Sequence, residues 1–392
     1  MRDKPVNRTE ASLAANFVAD AIEAGRDWEA ELLARGIRTN REGQLANLCY
    51  GKDDPDFSDP LVRACRGIIL EVSKESVQVV CWPFDKFANS FEPYAATIDW
   101  KSAHAEDKLD GSIVKLYHYD GEWTWATNRM PLAAHTDCNG YMTYLDAIME
   151  ADNYADVMSA DKDESLTYMF ELTGPRNKIV VRYDTAHLTH IGTRSNVSGQ
   201  ELSVNIGIDQ PRRRLVSSLE GICEMADQLN PDEEVTDEGF VVVDKDWHRI
   251  KVKSERYAMM HYLISTAGVS RRRAAAILVS QDEEALHIIE QDQMLTRDFA
   301  VFRQEYEAVV SSLDEDARLA KDTLDELRAT TDERTVNAEF AKIAKTRAKD
   351  ISIWFHVKKH GYQGPRELAA QIYERSNRGF VERMRRTGSE SR

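Results

Sequence analysis

Cysteine is scarce in this chain and falls in no recognisable pattern. Five residues, Cys49, Cys65, Cys81, Cys138 and Cys223, are scattered over 392 positions, and none belongs to a C-x-x-C pair. That spacing supports neither a zinc site nor a disulfide frame, and it fits a reducing compartment. Glycine and proline are sparse too, at 19 and 10 residues, which argues against long disordered tracts. No apolar run reaches the roughly 20 residues that cross a bilayer. Met1-Arg2-Asp3-Lys4 lacks the apolar core of a secretory signal. A cytoplasmic protein without a membrane partner is expected. There is no G-x-x-x-x-G-K-[ST] loop, so kinase chemistry is not encoded in these residues. His356 and His360 are spaced as a metal pair could be, but no glutamate follows His356 and no third ligand is evident.

Positive charge is in deficit. Lys and Arg number 51 against 67 Asp and Glu, giving a net charge of −16. This argues against a nonspecific nucleic-acid coat, although an enzyme acting on nucleic acid needs only a local basic site. The charge is uneven. Residues 281–334 hold 16 acidic and 6 basic side chains, whereas 342–386 hold 12 basic and 4 acidic. The second stretch also carries Trp354, Phe355 and Tyr362. It reads either as a solvated helix face or as an RNA contact.

Hydrophobic periodicity divides the chain in two. A helix is expected over 8–36, and helices over 139–150 and 213–228. Strands are expected over 66–72, 77–82, 113–117, 122–127, 167–173, 179–183, 187–193, 239–243 and 248–253. After Tyr257 only helical periodicity remains, over 270–279, 282–292, 296–312, 316–330 and 335–357. The pattern is α+β with antiparallel strands, followed by an all-α C-terminal part. The expected domains are 1–260 and 261–392.

Against this background one segment stands out, Lys108-Leu109-Asp110-Gly111-Ser112 followed by Ile113-Val114-Lys115-Leu116-Tyr117. A lysine precedes an Asp-Gly turn, and a strand follows. A fixed lysine can serve as a nucleophile, and glycine lets backbone approach a phosphate. K-x-D-G alone is a weak signal. Four more segments appear around it: Arg66-Gly67-Ile68, Phe170-Glu171 through Asn177, Glu238-Gly239, and Lys251-Val252-Lys253. Each has a plain reading, as a turn or as the wet face of an edge strand. The whole ordered set is much harder to obtain by accident.

This set resembles the covalent nucleotidyltransferases, the superfamily of ATP-dependent ligases and mRNA capping enzymes. The nearest resemblance is to the phage ATP-dependent RNA ligases of the tRNA-repair type, the RNA ligase 1 family. It rests on Cys65-Arg66-Gly67-Ile68, Pro83-Phe84-Asp85-Lys86-Phe87, the Lys108 motif, Phe170 to Asn177, Glu238-Gly239 and Lys251 to Ser254, and covers roughly residues 45–260. Leu109 departs from the family, which usually has an acidic residue there. Strand alternation would turn its side chain away from the lysine face.

The resemblance implies an antiparallel-sheet nucleotidyltransferase domain at 1–260 and a helical C-terminal module that selects RNA. Lys108 would attack the α-phosphate of ATP, forming lysyl-AMP. Glu171 would hold the ribose or a metal-bound water. Glu238 would anchor Mg²⁺ (or Mn²⁺), with Asp110 assisting. Lys251 and Lys253 would contact the α-phosphate, while Arg66 and Lys86 would grip the β- and γ-phosphates. Tyr50 would match a nucleotide-contacting tyrosine, and Glu283 a second metal site. The implied substrate is RNA with 5′-phosphate and 3′-hydroxyl ends, such as nicked tRNA, prepared by a separate end-healing kinase and phosphatase. For a phage-encoded chain, the implied location is the host cytoplasm.

The residues themselves suit that chemistry. A lysine with pKa about 10.4 is almost wholly charged at pH 7, and only the neutral amine attacks phosphorus. Clustered cations at Lys251, Lys253 and Arg66 would favour the neutral form and also neutralise a polyphosphate. The carboxylates would be unexplained in a purely anion-binding site, but they suit a hydrated cation or a ribose. DNA ligases and capping enzymes share this chemistry. Many DNA ligases carry an arginine where this chain has Ile113, and both classes usually continue into a β-rich OB fold, whereas this chain reads helical after Tyr257. A non-catalytic RNA- or nucleotide-binding protein is the remaining alternative.

Overall fold

The computed structural model describes residues 6–51, 55–138, 142–177, 180–230, 235–255, 257–258, 261, 264–265, 268–281, 285–286, 289 and 293–390. The chain divides into two compact units, Met1–Ala258 and Met259–Arg392. The first is α+β and the second is helical, apart from a two-residue strand pair, Ile264–Ser265 with Gly268–Val269. Among the described residues, no helix is long and apolar enough to cross a membrane.

Strands β1 (Asn7–Arg8), β2 (Ile37–Glu42), β3 (Leu45–Tyr50), β4 (Arg66–Val72) and β5 (Ser76–Cys81) form one sheet in the order β1-β5-β4-β3-β2. Helices α1 (Leu13–Glu23) and α2 (Trp28–Ala34) supply Ala15, Val18, Ala19 and Leu32 to the core that covers it. The single helix expected over 8–36 is therefore two. Gly25 takes φ +64°, and Asp27 opens α2 by accepting the Ala30 amide at 3.1 Å.

Two further five-stranded sheets build the rest of this unit. The first contains β6 (Ala88–Asn89), β7 (His104–Lys108), β15 (Arg213–Leu215), β16 (Gly239–Val243) and β17 (Arg249–Lys253), in the order β15-β7-β16-β17-β6. The second contains β8 (Ser112–Tyr119), β9 (Glu122–Thr127), β12 (Leu166–Thr173), β13 (His187–Ser195) and β14 (Glu201–Leu202), in the order β14-β13-β12-β8-β9. A short hairpin, β10 (Asp137–Cys138) with β11 (Met142–Thr143), leads into a helix over Tyr144–Met149.

Strand alternation sorts both sheets into a dry face and a cavity face. Ala105, Phe240, Val242, Ile250 and Val252 pack in a core with Ile222 and Ala226 of a helix over Leu219–Asp227. Their alternates Glu106, Lys108, Val241, Lys251 and Lys253 face a cavity. In the other sheet Val114, Leu116, Phe170 and Leu172 are core, while Ile113 and Glu171 face the same cavity.

Three readings fail for identifiable reasons. The expected strand over 179–183 is absent among its described residues, 180–183. The amides of Val180 and Val181 bond to the Asp110 carboxylate at 2.7 and 2.8 Å instead of joining a ladder. Within 213–228 the helix begins only at Leu219, because Arg213–Leu215 pairs with β7. In the second unit one 38-residue helix, Gln293–Thr330, replaces the expected pair, whereas 335–357 breaks into Glu333–Arg347 and Ile351–His360. Asp316 of the long helix accepts the Lys349 and Asp350 amides at 3.0 and 2.6 Å, which satisfies the break.

The basic stretch changes meaning in this frame. Trp354 is fully buried and presents no stacking face to an RNA base, whereas Tyr362, whose hydroxyl donates to Asp314, is half-buried. Phe355 is the most exposed of the three. Lys349 pairs with Glu315 at 2.6 Å, and Arg383 pairs with Asp350.

Candidate active site

The cavity is about 200 Å³ and lies between the two sheets. Its chemistry is set by register. Gly239 lies opposite Lys108 on one side and Lys253 on the other, and Val241 lies opposite Glu106 and Lys251. Two adjacent rungs therefore bring three lysines onto one face. Glu238, just before β16, bridges two of them. Its carboxylate accepts from Lys108 Nζ at 2.6 Å and pairs with Lys253 Nζ at 2.9 Å. Glu238 is only 4% exposed, so the bridge is shielded from screening.

Glycine is required at that register. Gly239 has φ +144°, and a Cβ there would sit 2.3 Å from the Val252 carbonyl oxygen. Gly239→Ala is expected to destabilise the unit by about 1–3 kcal/mol and to disturb the Glu238 bridge. A melting curve beside an adenylylation assay checks this. Unchanged values of both would contradict it. Gly111 is also obligatory, for a reason other than phosphate approach. Its Cβ position lies 2.3 Å from the Leu172 carbonyl oxygen, so it lets β8 start tight against β12.

Two carboxylates differ sharply. Glu171 is buried, and no hydrogen bond to its side chain is found among the described residues. Burial raises its pKa to about 7, opposed by nearby Lys108. An unpartnered buried carboxylate aimed into a cavity is suited to a hydroxyl or hydrated cation. Asp110 is instead sealed by protein. It takes Val180, Val181 and the Tyr257 hydroxyl, the last at 2.6 Å, and is 2% exposed. Three of roughly four lone-pair sites are used. The expected metal role thus gives way to positioning: Asp110 ties the turn after Lys108 to two distant segments.

Among the cations, Lys251 has the most perturbed environment. Burial lowers its pKa to about 6, and Lys86, Arg66, Lys108 and Lys253 push in the same direction. Its ammonium and the Arg66 guanidinium lie over the same Phe87 ring, at 5.3 and 5.1 Å. Lys86 also has a lowered pKa, chiefly from burial. It sits over Phe57 and Tyr94 in an adjoining cavity that shares Phe84, Phe87 and Arg249 with the first.

The structure thus brings Arg66, Lys108, Glu171, Glu238, Lys251 and Lys253 around one cavity, with Lys86 next door. Tyr50 packs edge-on against Phe57 and is not among the cavity's lining side chains. Glu283 lies outside the described residues. Leu109 lines the cavity, against the expectation that it would turn away. Sequence reasoning missed two residues. Tyr257 anchors Asp110 and lies under Lys253, 5.0 Å from ring centre to Nζ. Arg249 pairs with Glu201 at 2.6 Å and stacks 4.4 Å over Phe84. The signal for Arg249 was its alternation with Lys251 and Lys253; nothing local marked Tyr257.

A family model described as RNA ligase matches residues 64–257, just under half of the chain. Residues 64–257 are thus similar to the RNA ligase family. A protein of Autographa californica nuclear polyhedrosis virus, provisionally named as a bifunctional polynucleotide kinase/RNA ligase, is 29% identical over 272 residues. That match covers 64% of this chain and 38% of the viral protein. An RNA ligase of Rhodothermus phage RM378 is 25% identical over 272 residues, covering 52% of this chain and 61% of the phage protein. The chain spans less than two thirds of either relative. The RNA ligase match begins just before Arg66 and ends at Tyr257, so it encloses every cavity side chain named above.

Proposed function

We propose that the chain is an ATP-dependent RNA ligase that works through lysyl-AMP at Lys108. The observation that carries this is the bridge Lys108–Glu238–Lys253 beside Lys251, Arg66 and the unpartnered Glu171. A cavity lined by several basic side chains together with an unpartnered carboxylate suits a nucleoside triphosphate. The cations take the phosphates and Glu171 takes a ribose hydroxyl or a hydrated cation.

Lys108 Nζ attacks the α-phosphorus, and the bond to the β-phosphate oxygen breaks. Pyrophosphate leaves, and a phosphoramidate joins Lys108 to AMP. Glu238 is within hydrogen-bond reach of the attacking nitrogen and can take its proton. Arg66, with Lys86 in the adjoining cavity, holds the departing pyrophosphate. Lys251 and Lys253 stabilise charge on the α-phosphate. Glu171 and Glu238 would hold a divalent cation, Mg²⁺ or Mn²⁺, which when bound supplies charge neutralisation at the phosphates. The AMP then passes to an RNA 5′-phosphate, and a 3′-hydroxyl displaces it to seal the strand. Repair of broken RNA, including nicked tRNA, is the physiological role proposed. These residues contain no G-x-x-x-x-G-K-[ST] loop, so the 5′-phosphate would come from a kinase encoded elsewhere. The helical unit is proposed to select RNA through its exposed basic side chains, such as Lys359 and Arg378, rather than through the buried Trp354.

The test is sealing of a 5′-phosphorylated RNA to a 3′-hydroxyl RNA with ATP and a divalent cation. A ligated product with an AMP-capped intermediate is expected. Binding of ATP and RNA without either product would favour the non-catalytic alternative, and sealing confined to DNA would exclude this reading.

ATP binding should also be coupled to protons. Lys251 is mostly neutral above about pH 6 in the free protein, and a bound phosphate raises its pKa. Binding at pH 7–8 therefore takes up a proton, and affinity falls as pH rises through that window. Calorimetry in buffers of different ionisation enthalpy should show uptake that vanishes in Lys251→Met. Proton release or no linkage in the wild type would contradict the assignment.

A further inference from the structure

Lys115 is a costly buried side chain that the ligase chemistry leaves unused. It sits mid-strand in β8, is fully buried, and has no ion-pair partner among the described residues. Burial lowers its pKa, with the thiols of Cys81 and Cys49 nearby. A methionine would fill a similar volume without the desolvation of an amine.

What the amine touches is specific. Lys115 Nζ donates to the carbonyl oxygen of Gly67. Gly67 is itself irregular. It has φ +86°, and a Cβ on it would fall 2.7 Å from the Asn128 carbonyl oxygen and 3.0 Å from Lys115 Nζ. The register between β3 and β4 slips at this point, with Leu48 opposite Ile68 but Cys49 opposite Arg66. Gly67 is therefore the extra residue of a bulge, and bulges re-aim the adjoining side chain. That side chain is Arg66, which reaches the cavity beside Phe87 and Lys251. The two residues lie in different sheets, so the bond pins the bulge to the sheet that carries Glu171.

We propose that Lys115 is a positioning residue: by holding the Gly67 carbonyl it fixes the bulge that aims Arg66 at the nucleotide phosphates. This rests on the ligase reading of the cavity. The amine is remote from the reacting atoms and acts only through Arg66. Without it, the carbonyl loses its donor and Arg66 loses its fixed direction.

The test is a double-mutant cycle on lysyl-AMP formation with Lys115→Met, Arg66→Ala and the pair. Lys115→Met should raise the ATP concentration for half-maximal adenylylation on the order of tenfold, with a much smaller change in the maximal rate. In the Arg66→Ala background the same substitution should add little. Equal effects in both backgrounds, or loss confined to the maximal rate and the melting temperature, would overturn the proposal. Should Lys115→Met not fold, Lys115→Gln, which keeps a shorter amide donor, carries the same cycle with the same expectation. If the wild type forms no lysyl-AMP, the ligase reading itself falls. Additive effects in a protein that does form it remove only the role of Lys115.

Discussion

Lys108→Ala is expected to form no covalent AMP adduct while keeping its fold. The side chain is partly exposed at the end of β7, and its contacts are the Glu238 carboxylate and, at 3.4 Å, the Leu109 carbonyl. Removing it takes away the nitrogen proposed to attack and disturbs little packing. Lys108→Arg should fail too, because a guanidinium stays charged and cannot attack. The remaining lysines cannot substitute. Lys251 and Lys253 stand on β17, with β16 between them and Lys108. Labelled ATP followed by denaturing electrophoresis reads the result directly. An adduct of wild-type intensity in Lys108→Ala would remove Lys108 from the mechanism. RNA sealing from pre-adenylylated RNA should survive better than sealing from ATP, since that substrate enters after the lysyl-AMP step.

Glu238→Ala should have the second-largest effect, slowing adenylylation by about 10²–10³-fold, the usual scale for one preorganised charge contact at a reacting centre. The substitution releases Lys108 and Lys253 at once and leaves both, beside Lys251, without their bridging carboxylate. Lys108 loses the group that orients it and can take its proton. Glu238→Gln should retain part of the orientation but not the negative charge, so it should fall between Ala and wild type at saturating ATP. Rates for both variants across a range of Mn²⁺ concentrations separate cation binding from positioning. Near-normal rates in Glu238→Ala would show that the bridge seen between the lysines is incidental.

The placement of those two residues at the cavity was legible because their sequence pattern is local. Lys108 precedes an Asp-Gly turn and Glu238 precedes a glycine that the register makes obligatory. The alternation of Lys251 with Lys253 likewise placed both on one face. The role of Asp110 was not legible, since its partners Val180, Val181 and Tyr257 are 70 or more positions away. Nor was β7. It looks polar because Glu106 and Asp107 are matched by Arg213 and Arg214 across the β15 pairing. The hairpin β2–β3 escaped for a similar reason, since β2 alternates charged and polar residues around a single buried Ile37. In the helical unit, periodicity identified helix but misplaced its ends. The breaks are set by Asp316 reaching the Lys349 and Asp350 amides from another helix, a tertiary contact that no local pattern contains.

The most direct test of the account is the intact mass of the protein after incubation with ATP and Mg²⁺, followed by peptide mapping. The account predicts a gain of one AMP, located on the peptide that contains Lys108, and its discharge on adding RNA with a 5′-phosphate. No mass gain, or an AMP mapped to Lys251 or any other lysine, would contradict it.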